Sequence, residues 1–520
     1  MIPVLTVEQM REIDDQVIAG NLTIGYSLMV KAGLGLYAAV SEFLSFNKSS
    51  EIAIFCGKGN NGGDGYIAGR MLLDAGYKVM CFSLCETEAL TGEAKVAFND
   101  YSANKGNALI LSDAADLTDL SRYSLIVDAM LGTGLKSDPH GLYAIAIEAI
   151  NASGVPVVAV DTPSGLDNDT GIPGTPCIKA TMTVTMGYPK IGLYFHPGRV
   201  FVGKLIIQDL SYPDEMIAEK KIDIFFPSEK RLKRFLPPRH PDGSKTDHGL
   251  ALLICGSRGM AGSATLVADA ALRTGCGMTH LASPETMIPI LSTKLTETVL
   301  HPLYETGTGT IAYSSIDQIK ELAIGKHALC IGPGLSHEAN TSRLVKEVVK
   351  TIDLPIVLDA DGLNAFKECS QELRAHAGNL IITPHKGEWT RLFGALSAEP
   401  TEIIRQVKAI AVEYKLTILL KGNPTIVIDH DGTSYILPFG NSALATAGTG
   451  DVLSGIIVSL LAQGATPKEA AILGAYIQGG AGEIASEELG EYSVIARDVV
   501  NTISRVIRKI SRKNDNRKVT

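Results

Sequence analysis

Short runs of β-branched and other apolar residues alternate with helix-period patterns along the whole chain. That is the signature of α/β layers around a largely parallel sheet. In the first half, Glu51–Cys56, Lys78–Leu84, Leu125–Ala129 and Val155–Val160 read as buried strands. In the second half the same reading falls on Leu250–Cys255, Ala328–Ile331, Ile356–Leu358, Leu380–Thr383 and Leu416–Leu420. Between them, Tyr212 to Gly249 loses its periodicity and carries Pro213, Pro227, Pro237, Pro238 and Pro241, which marks a connection. A boundary near residue 220 gives an N-terminal domain, 1–220, a larger C-terminal domain, 221–510, and a short basic tail, 511–520.

At 520 residues, 45% of them hydrophobic, the chain has apolar material for two cores. A net charge of −9 with 6% aromatics argues against a nucleic-acid partner, which would need a basic face. The one basic run, Arg505 to Lys518, reads as a solvated terminus. Eight scattered cysteines form no C-x-x-C pair, and several sit inside strand-like runs, as buried thiols of a reducing compartment do. The opening MIPVLTVEQMREID lacks the basic and apolar regions of a signal peptide. The best apolar stretch, Val452 to Ala462, is too short to span a membrane. The expectation is a soluble, cytoplasmic protein with no membrane partner.

Glycine loops at strand ends carry the candidate chemistry. After Glu51–Cys56 comes GKGNNGGDG, then a helix from Tyr66 to Gly76. Gly57, Gly59 and Gly62 satisfy G-x-G-x-x-G, and Glu86 closes the next strand where a ribose-binding acid would sit, as in an NAD-dependent oxidoreductase. Against that reading, Asp64 sets a carboxylate beside the helix N-terminus, where a pyrophosphate would dock. Asp128 ends the strand LIVDA, and Asp161 ends VPVVAVD. Parallel strands deliver their carboxyl ends to one edge, so Asn60, Asn61, Asp64, Asp128, Asp161 and Ser164 converge on one crevice. Their oxygens suit a hard cation.

These motifs resemble the NAD(P)H-hydrate epimerase family over roughly residues 1–215, through NNGGDG at 60–65, VDAMLGTGL at 127–135, DTPSGLDNDTG at 161–171 and GYPKIGL at 187–193. The resemblance implies a Rossmann-like three-layer domain that interconverts the R and S epimers of hydrated NADH or NADPH, with potassium in the site. It places Asn60, Asn61, Gly62, Gly63 and Asp64 at the hydrate. The loop of Gly132, Thr133, Gly134, Leu135, Lys136, Ser137 and Asp138 joins them, with Tyr143 and Asp161. Asn61, Asp128 and Ser164 would hold the potassium. Epimerisation at a hydroxyl-bearing carbon needs a proton transfer or a transient ring opening, which a carboxylate can serve. Asp161 is the expected base and Lys136 an electrostatic partner.

In the second half, GTGD at 448–451 precedes the helical VLSGIIVSLLAQG. The glycines leave helix-start amides open to an anion, with Asp451 at the entrance. This is either a plain Asp cap or the anion hole and base of a phosphoryl-transfer site. Neither Gly57-Lys58, Gly203-Lys204 nor Gly325-Lys326 is followed by Ser or Thr, which excludes a Walker A loop. GSRGMAGSA, GPGL, LDADGLNAF, TPHKGEWTRLF and KGNPT fall at neighbouring strand ends, with Asp359, Asp361, His385, Lys386, Glu388 and Lys421.

This pattern is similar to the ADP- or ATP-dependent NAD(P)H-hydrate dehydratases of the ribokinase superfamily, over roughly residues 225–510. The resemblance implies a ribokinase-like α/β/α domain with Ala261, Gly334, His385 and Asp451 at the hydrate and Asp451 as base. Lys421, Gly422, Asn423, Pro424, Thr425 and Gly450 would meet the nucleotide, ADP in preference to ATP, with magnesium. Two segments depart from the family pattern: QGGAGE at 478–483 stands for H-G-x-A-G-D, and SKTDHG at 244–249 for H-K-G-D-F-G. Together the halves imply a bifunctional enzyme that repairs damaged nicotinamide cofactors, expected to form a homo-oligomer. The rival is an NAD-dependent oxidoreductase domain fused to a ribokinase-like small-molecule kinase.

Overall fold

The computed structural model describes residues 1–117, 119–134, 137–239 and 241–511. The expected site residues Leu135 and Lys136, and all but the first residue of the basic tail, lie outside the described residues. The chain forms two compact units. One comprises Pro3–Ile222 with Glu399–Thr401; the other comprises Met1–Ile2, Asp223–Ala398 and the chain from Glu402 on.

Strands are numbered along the chain from β1 (Ile2–Pro3). The first unit holds β2 (Glu51–Cys56), β3 (Lys78–Ser83), β4 (Asn107–Ile110), β5 (Leu125–Ala129), β6 (Val157–Val160), β7 (Met182–Met186) and β8 (Lys204–Gln208). They make one parallel sheet in the order β4-β3-β2-β5-β6-β7-β8. The order reverses between β2 and β5, the place where such sheets open a crevice at their carboxyl ends. Strand β7, MTVTM, has no apolar run to announce it, yet it is wholly buried. Its threonines are satisfied internally: Thr183 donates to the Val202 carbonyl at 2.7 Å and Thr185 to Asp161 at 3.2 Å.

Helices α1 (Val7–Ile18), α2 (Leu22–Phe43) and α3 (Asn60–Asp74) cover one face. Contrary to the sequence reading, one helix, α2, is long and apolar enough to cross a membrane by length and composition. In this unit it is a core helix, with Met29, Ala32, Leu36 and Val40 buried. Gly33 allows the approach to α3, since a Cβ there would stand 2.3 Å from Ile67 Cγ2.

The second unit is built on an eleven-stranded sheet. It contains β9 (Ile224–Phe226), β10 (Leu250–Ile254), β11 (Met278–Pro284), β12 (Val299–Leu303), β13 (Ala328–Ile331), β14 (Ile356–Leu358), β15 (Leu380–Ile382), β16 (Thr417–Leu420), β17 (Thr425–Ile428) and β18 (Ser434–Leu437). The order is β1-β9-β18-β17-β16-β15-β14-β13-β10-β11-β12. From β16 to β12 the pairing is parallel; β16-β17 and β17-β18 are antiparallel. The segment 421–424 is too short for a crossover, so β16 turns straight back into β17 as a hairpin. Helices α4 (Ala261–Thr274) and α6 (Thr449–Ala462) pack backbone to backbone, α5 (Lys386–Phe393) lying between them in sequence. A Cβ on Gly455 would sit 2.4 Å from the Val267 carbonyl oxygen, so only glycine fits.

All eight cysteines are free; Cys85 and Cys369 are partly exposed and the other six are buried.

Candidate functional site

In the first unit a cavity of about 740 Å³ opens at the carboxyl edge of the sheet. Asn60, Asn61, Asp64, Gly132, Thr133, Gly134, Ser137, Asp138, Tyr143 and Asp161 all line it. Gly62 and Gly63 do not, because they serve packing. A Cβ on Gly62 would lie 2.0 Å from the Gly57 carbonyl oxygen, and one on Gly57 would lie 2.0 Å from that of Met130. The G-x-G-x-x-G spacing therefore reflects two strand-end loops crossing at contact distance. Glu86, the acid the oxidoreductase reading needs, is not among the lining residues.

Asp161 adopts a left-handed φ of +63° at the end of β6, which turns its carboxylate into the cavity. Its Oδ1 accepts from Lys190 Nζ at 2.5 Å, from the Met186 amide at 3.1 Å and from Thr185. Lys190 is 1% exposed, so this is a buried ion pair. On the same cavity, Asp14 accepts from the Tyr212 hydroxyl at 2.6 Å. Burial raises the Asp14 pKa against that bond, and burial with the charges of Asp161 and Asp14 pushes Asp64 well above the usual carboxylate range. Arg11 donates to the Thr133 carbonyl at 2.8 Å and holds the glycine loop. Lys190, Asp14, Tyr212 and Arg11 were not read from the sequence as site residues. The available signal was Lys190 itself, set in the apolar run GYPKIGL, because a lysine between buried neighbours needs a buried anion.

Asp128 and Ser164 lie beneath this cavity and are not in its lining. Asp128 is fully buried. It accepts from the Ser164 amide at 2.8 Å, the Ser164 hydroxyl at 2.6 Å and the Met130 amide at 3.2 Å. Burial nevertheless pushes its pKa up to about 6, with those bonds opposing. No ion pair involves it among the described residues, and the Asn61 side-chain amide nitrogen is buried without a partner. A carboxylate buried without a cation is a place where a bound cation would be stabilised.

The second unit gathers its own set at the carboxyl ends of β10 and β13 to β16. Gly448, with φ +90°, starts α6 and sets Asp451 in its first turn. Burial pushes the Asp451 pKa up to about 6; a Ser263 hydrogen bond and the Lys421 charge oppose this, and Asp359 adds to it. Buried Asp359 accepts from Lys421 Nζ at 2.7 Å and from the Ser454 hydroxyl at 2.8 Å. Glu388 lies 3.6 Å from Lys421. Burial lowers the Lys421 pKa, but Asp359, Glu388 and Asp451 together outweigh it and leave it raised. A Cβ on Gly450 would come within 3.6 Å of Lys421 Nζ, so the helix start, Lys421 and Asp359 form one constellation. Gly422, Asn423 and Pro424 are its hairpin loop and Thr425 begins β17.

Ala261 opens α4, and Gly334, with φ +67°, packs on it through Met260 and Ser263. His385 caps α5: its Nδ1 accepts from the amides of Gly387 at 2.9 Å and Glu388 at 3.2 Å, and its Nε2 lies 3.6 Å from the Glu388 carboxylate. At the departures from the family pattern, Gln478 donates to the Thr449 carbonyl at 2.6 Å and Glu483 accepts from the Gly440 amide at 2.8 Å. Both pin the loop that enters α6.

The chain matches two families in tandem. Residues 25–192 match the family described as YjeF-related protein N-terminus, and residues 251–505 match NAD(P)H-hydrate dehydratase. It is 38% identical over 512 residues to the bifunctional NAD(P)H-hydrate repair enzyme Nnr of Moorella thermoacetica, covering 97% of each chain. The chain belongs to the bifunctional NAD(P)H-hydrate repair enzymes. The namesake repair enzyme of Escherichia coli is 32% identical over 483 residues, covering 93% of this chain and 89% of that one. Among solved structures, the ADP/ATP-dependent NAD(P)H-hydrate dehydratase of Bacillus subtilis, co-crystallised with ATP and Mg2+, is 28% identical. It covers 55% of this chain and 98% of its own, with a TM-score of 0.46. Repair enzymes of this family combine an NAD(P)H-hydrate epimerase with an ADP/ATP-dependent dehydratase, and the rival pairing of oxidoreductase with small-molecule kinase is not favoured.

Proposed function

We propose that the first unit, built on Pro3–Ile222, interconverts the R and S hydrates of NADH and NADPH, and that the second, built on the chain from Asp223 on, returns the S hydrate to the reduced cofactor. The observation that carries this reading is a buried, ion-paired carboxylate at one sheet edge and a helix-start carboxylate at the other, on one chain. At the first edge Asp161 takes the proton of the ring hydroxyl. Asn61, Asp128 and Ser164 offer only oxygen donors, and the uncompensated charge of Asp128 suits a potassium ion there.

At the second edge Asp451 accepts the hydroxyl proton while the amides of Gly448 and Gly450 and the Lys421 ammonium stabilise the transferred phosphoryl group. The phosphorylated oxygen is then a competent leaving group: phosphate departs with the electron pair of the ring C–O bond, the adjacent ring carbon loses a proton to water, and the electron pair of that C–H bond becomes the restored nicotinamide double bond. ADP or ATP supplies the phosphoryl group, and a magnesium ion bound with the nucleotide would offset its charge. Eight free thiols suit a reducing, cytoplasmic setting.

Restoration of absorbance at 340 nm from mixed hydrate epimers tests the whole reading. With ADP or ATP the full amount should return; without nucleotide none should. ADP is expected to be the better donor. Replacing potassium with a large organic cation should slow only the phase limited by epimerisation. Asp128→Asn should abolish that potassium response and leave dehydration of pure S hydrate unchanged. A potassium-indifferent epimerisation would remove the cation from the scheme.

A further inference from the structure

Five carboxyl groups line the first-unit cavity, Asp14, Asp15, Asp64, Asp138 and Asp161; among them Asp14, Asp64 and Asp161 act on one another's charge, and the bonding of these three is unequal. Asp161 takes the Lys190 ammonium at 2.5 Å, and Asp14 takes the Tyr212 hydroxyl at 2.6 Å. Asp64, in the first turns of α3 on the cavity wall, has no ion pair or hydrogen bond with any described residue. Lys190 is already committed to Asp161, with its remaining contacts to Thr185 and the Met186 carbonyl. A half-buried carboxyl group beside two others, with no cation paired to it among the described residues, is the one whose protonated form is favoured: burial and the charges of Asp161 and Asp14 push its pKa well above the usual carboxylate range.

Resting on the epimerase reading, we propose that Asp64 is the general acid of the first-unit site and works as a pair with Asp161 as base. Asp161 accepts the proton of the ring hydroxyl, and that C–O bond becomes a carbonyl as the ring carbon–nitrogen bond breaks. The electron pair of the broken bond passes to the nitrogen, where Asp64 supplies a proton. Rotation about the adjacent carbon–carbon bond presents the other face of the aldehyde. On closure the nitrogen attacks that face and returns its proton to Asp64, and the oxygen recovers one from Asp161. No proton, electron or co-reactant is consumed, as an isomerisation requires. One carboxylate alone would have to perform both transfers in sequence; two groups of opposite protonation state perform them together.

Asp64→Asn keeps the size and polarity of the side chain and removes only the proton. In the full-length chain without nucleotide, R-to-S interconversion followed by chromatography should show kcat lower by about 10²–10³-fold. KM, and hydrate binding by calorimetry, should stay within about threefold of wild type, which excludes unfolding as the cause. Asp64→Glu, which restores a proton in a shifted position, should recover part of kcat. A raised KM with kcat retained would make Asp64 a binding group only and overturn the assignment. Wild-type kcat in Asp64→Asn would overturn it as well. Failure of the wild-type chain itself to interconvert the epimers would overturn the epimerase reading along with it.

Discussion

Changing Asp451 to Asn is expected to abolish dehydration of the S hydrate while R and S continue to interconvert at the wild-type rate. The amide cannot take the hydroxyl proton, so the loss should reach about 10²–10⁴-fold, the range of a general base. Nucleotide binding should persist, because the amides at Gly448–Gly450 and the Lys421–Asp359 pair remain in place. The same variant should be more stable than wild type. Burial pushes Asp451 up to about 6, so the folded chain binds a proton more readily than the unfolded one between the ordinary carboxylate value and that point. Ionised Asp451 therefore destabilises the fold at pH 7, and this cost fades as pH falls through about 6. Removing the charge should gain on the order of 1–3 kcal/mol, read from chemical denaturation of the second unit at pH 7. The wild-type kcat/KM for dehydration should fall on the acid side of pH 6, as Asp451 gains its proton. Full dehydratase activity in Asp451→Asn would reduce Asp451 to a helix cap.

The Lys190–Asp161 pair should show a different signature. Either Lys190→Met or Asp161→Asn should drop epimerisation to the spontaneous rate, with dehydration of S hydrate intact. Asn tolerates the left-handed backbone that position 161 requires, so the substitution tests charge and not chain geometry. Each single change strands a buried partner and should cost the first unit about 3–5 kcal/mol. Lys190→Met is the harsher of the two, since it leaves Asp161 uncompensated beside Asp14 and Asp64. The double variant should recover most of that stability and none of the activity. Denaturation of the full chain, followed as two transitions, measures this; additive losses in the double variant would show that the two groups are not coupled.

Much of this arrangement was legible in the sequence, because the strand-end loops carry it. LIVDA and VPVVAVD announce strands that end in an acid, and parallel packing does the rest. The central strands of both sheets fall within a residue or two of their expected bounds. What stayed hidden depends on contacts between distant segments. Asp14 and Tyr212 are far apart in the chain and meet only when α1 folds across the crevice. Strand β7 was missed because its threonines find partners that no local pattern reveals. The hairpin β16–β17 was missed because KGNPT reads equally well as a loop closing a parallel strand. The glycine fingerprint, which the sequence offered only for the rival reading, has a physical reason that sequence could not supply: its spacing serves the close crossing of Gly57, Gly62 and Met130.

The distribution of thiols turns the chain into its own reporter. Each unit has one partly exposed cysteine, Cys85 in the first and Cys369 in the second, and three that are buried. A small alkylating reagent applied across a denaturant series would tag Cys56, Cys81 and Cys177 as the first unit opens, and Cys255, Cys276 and Cys330 as the second does. Peptide mass spectrometry would then yield a separate unfolding curve for each half of one unmodified polypeptide, with no engineered label and no need to cut the chain.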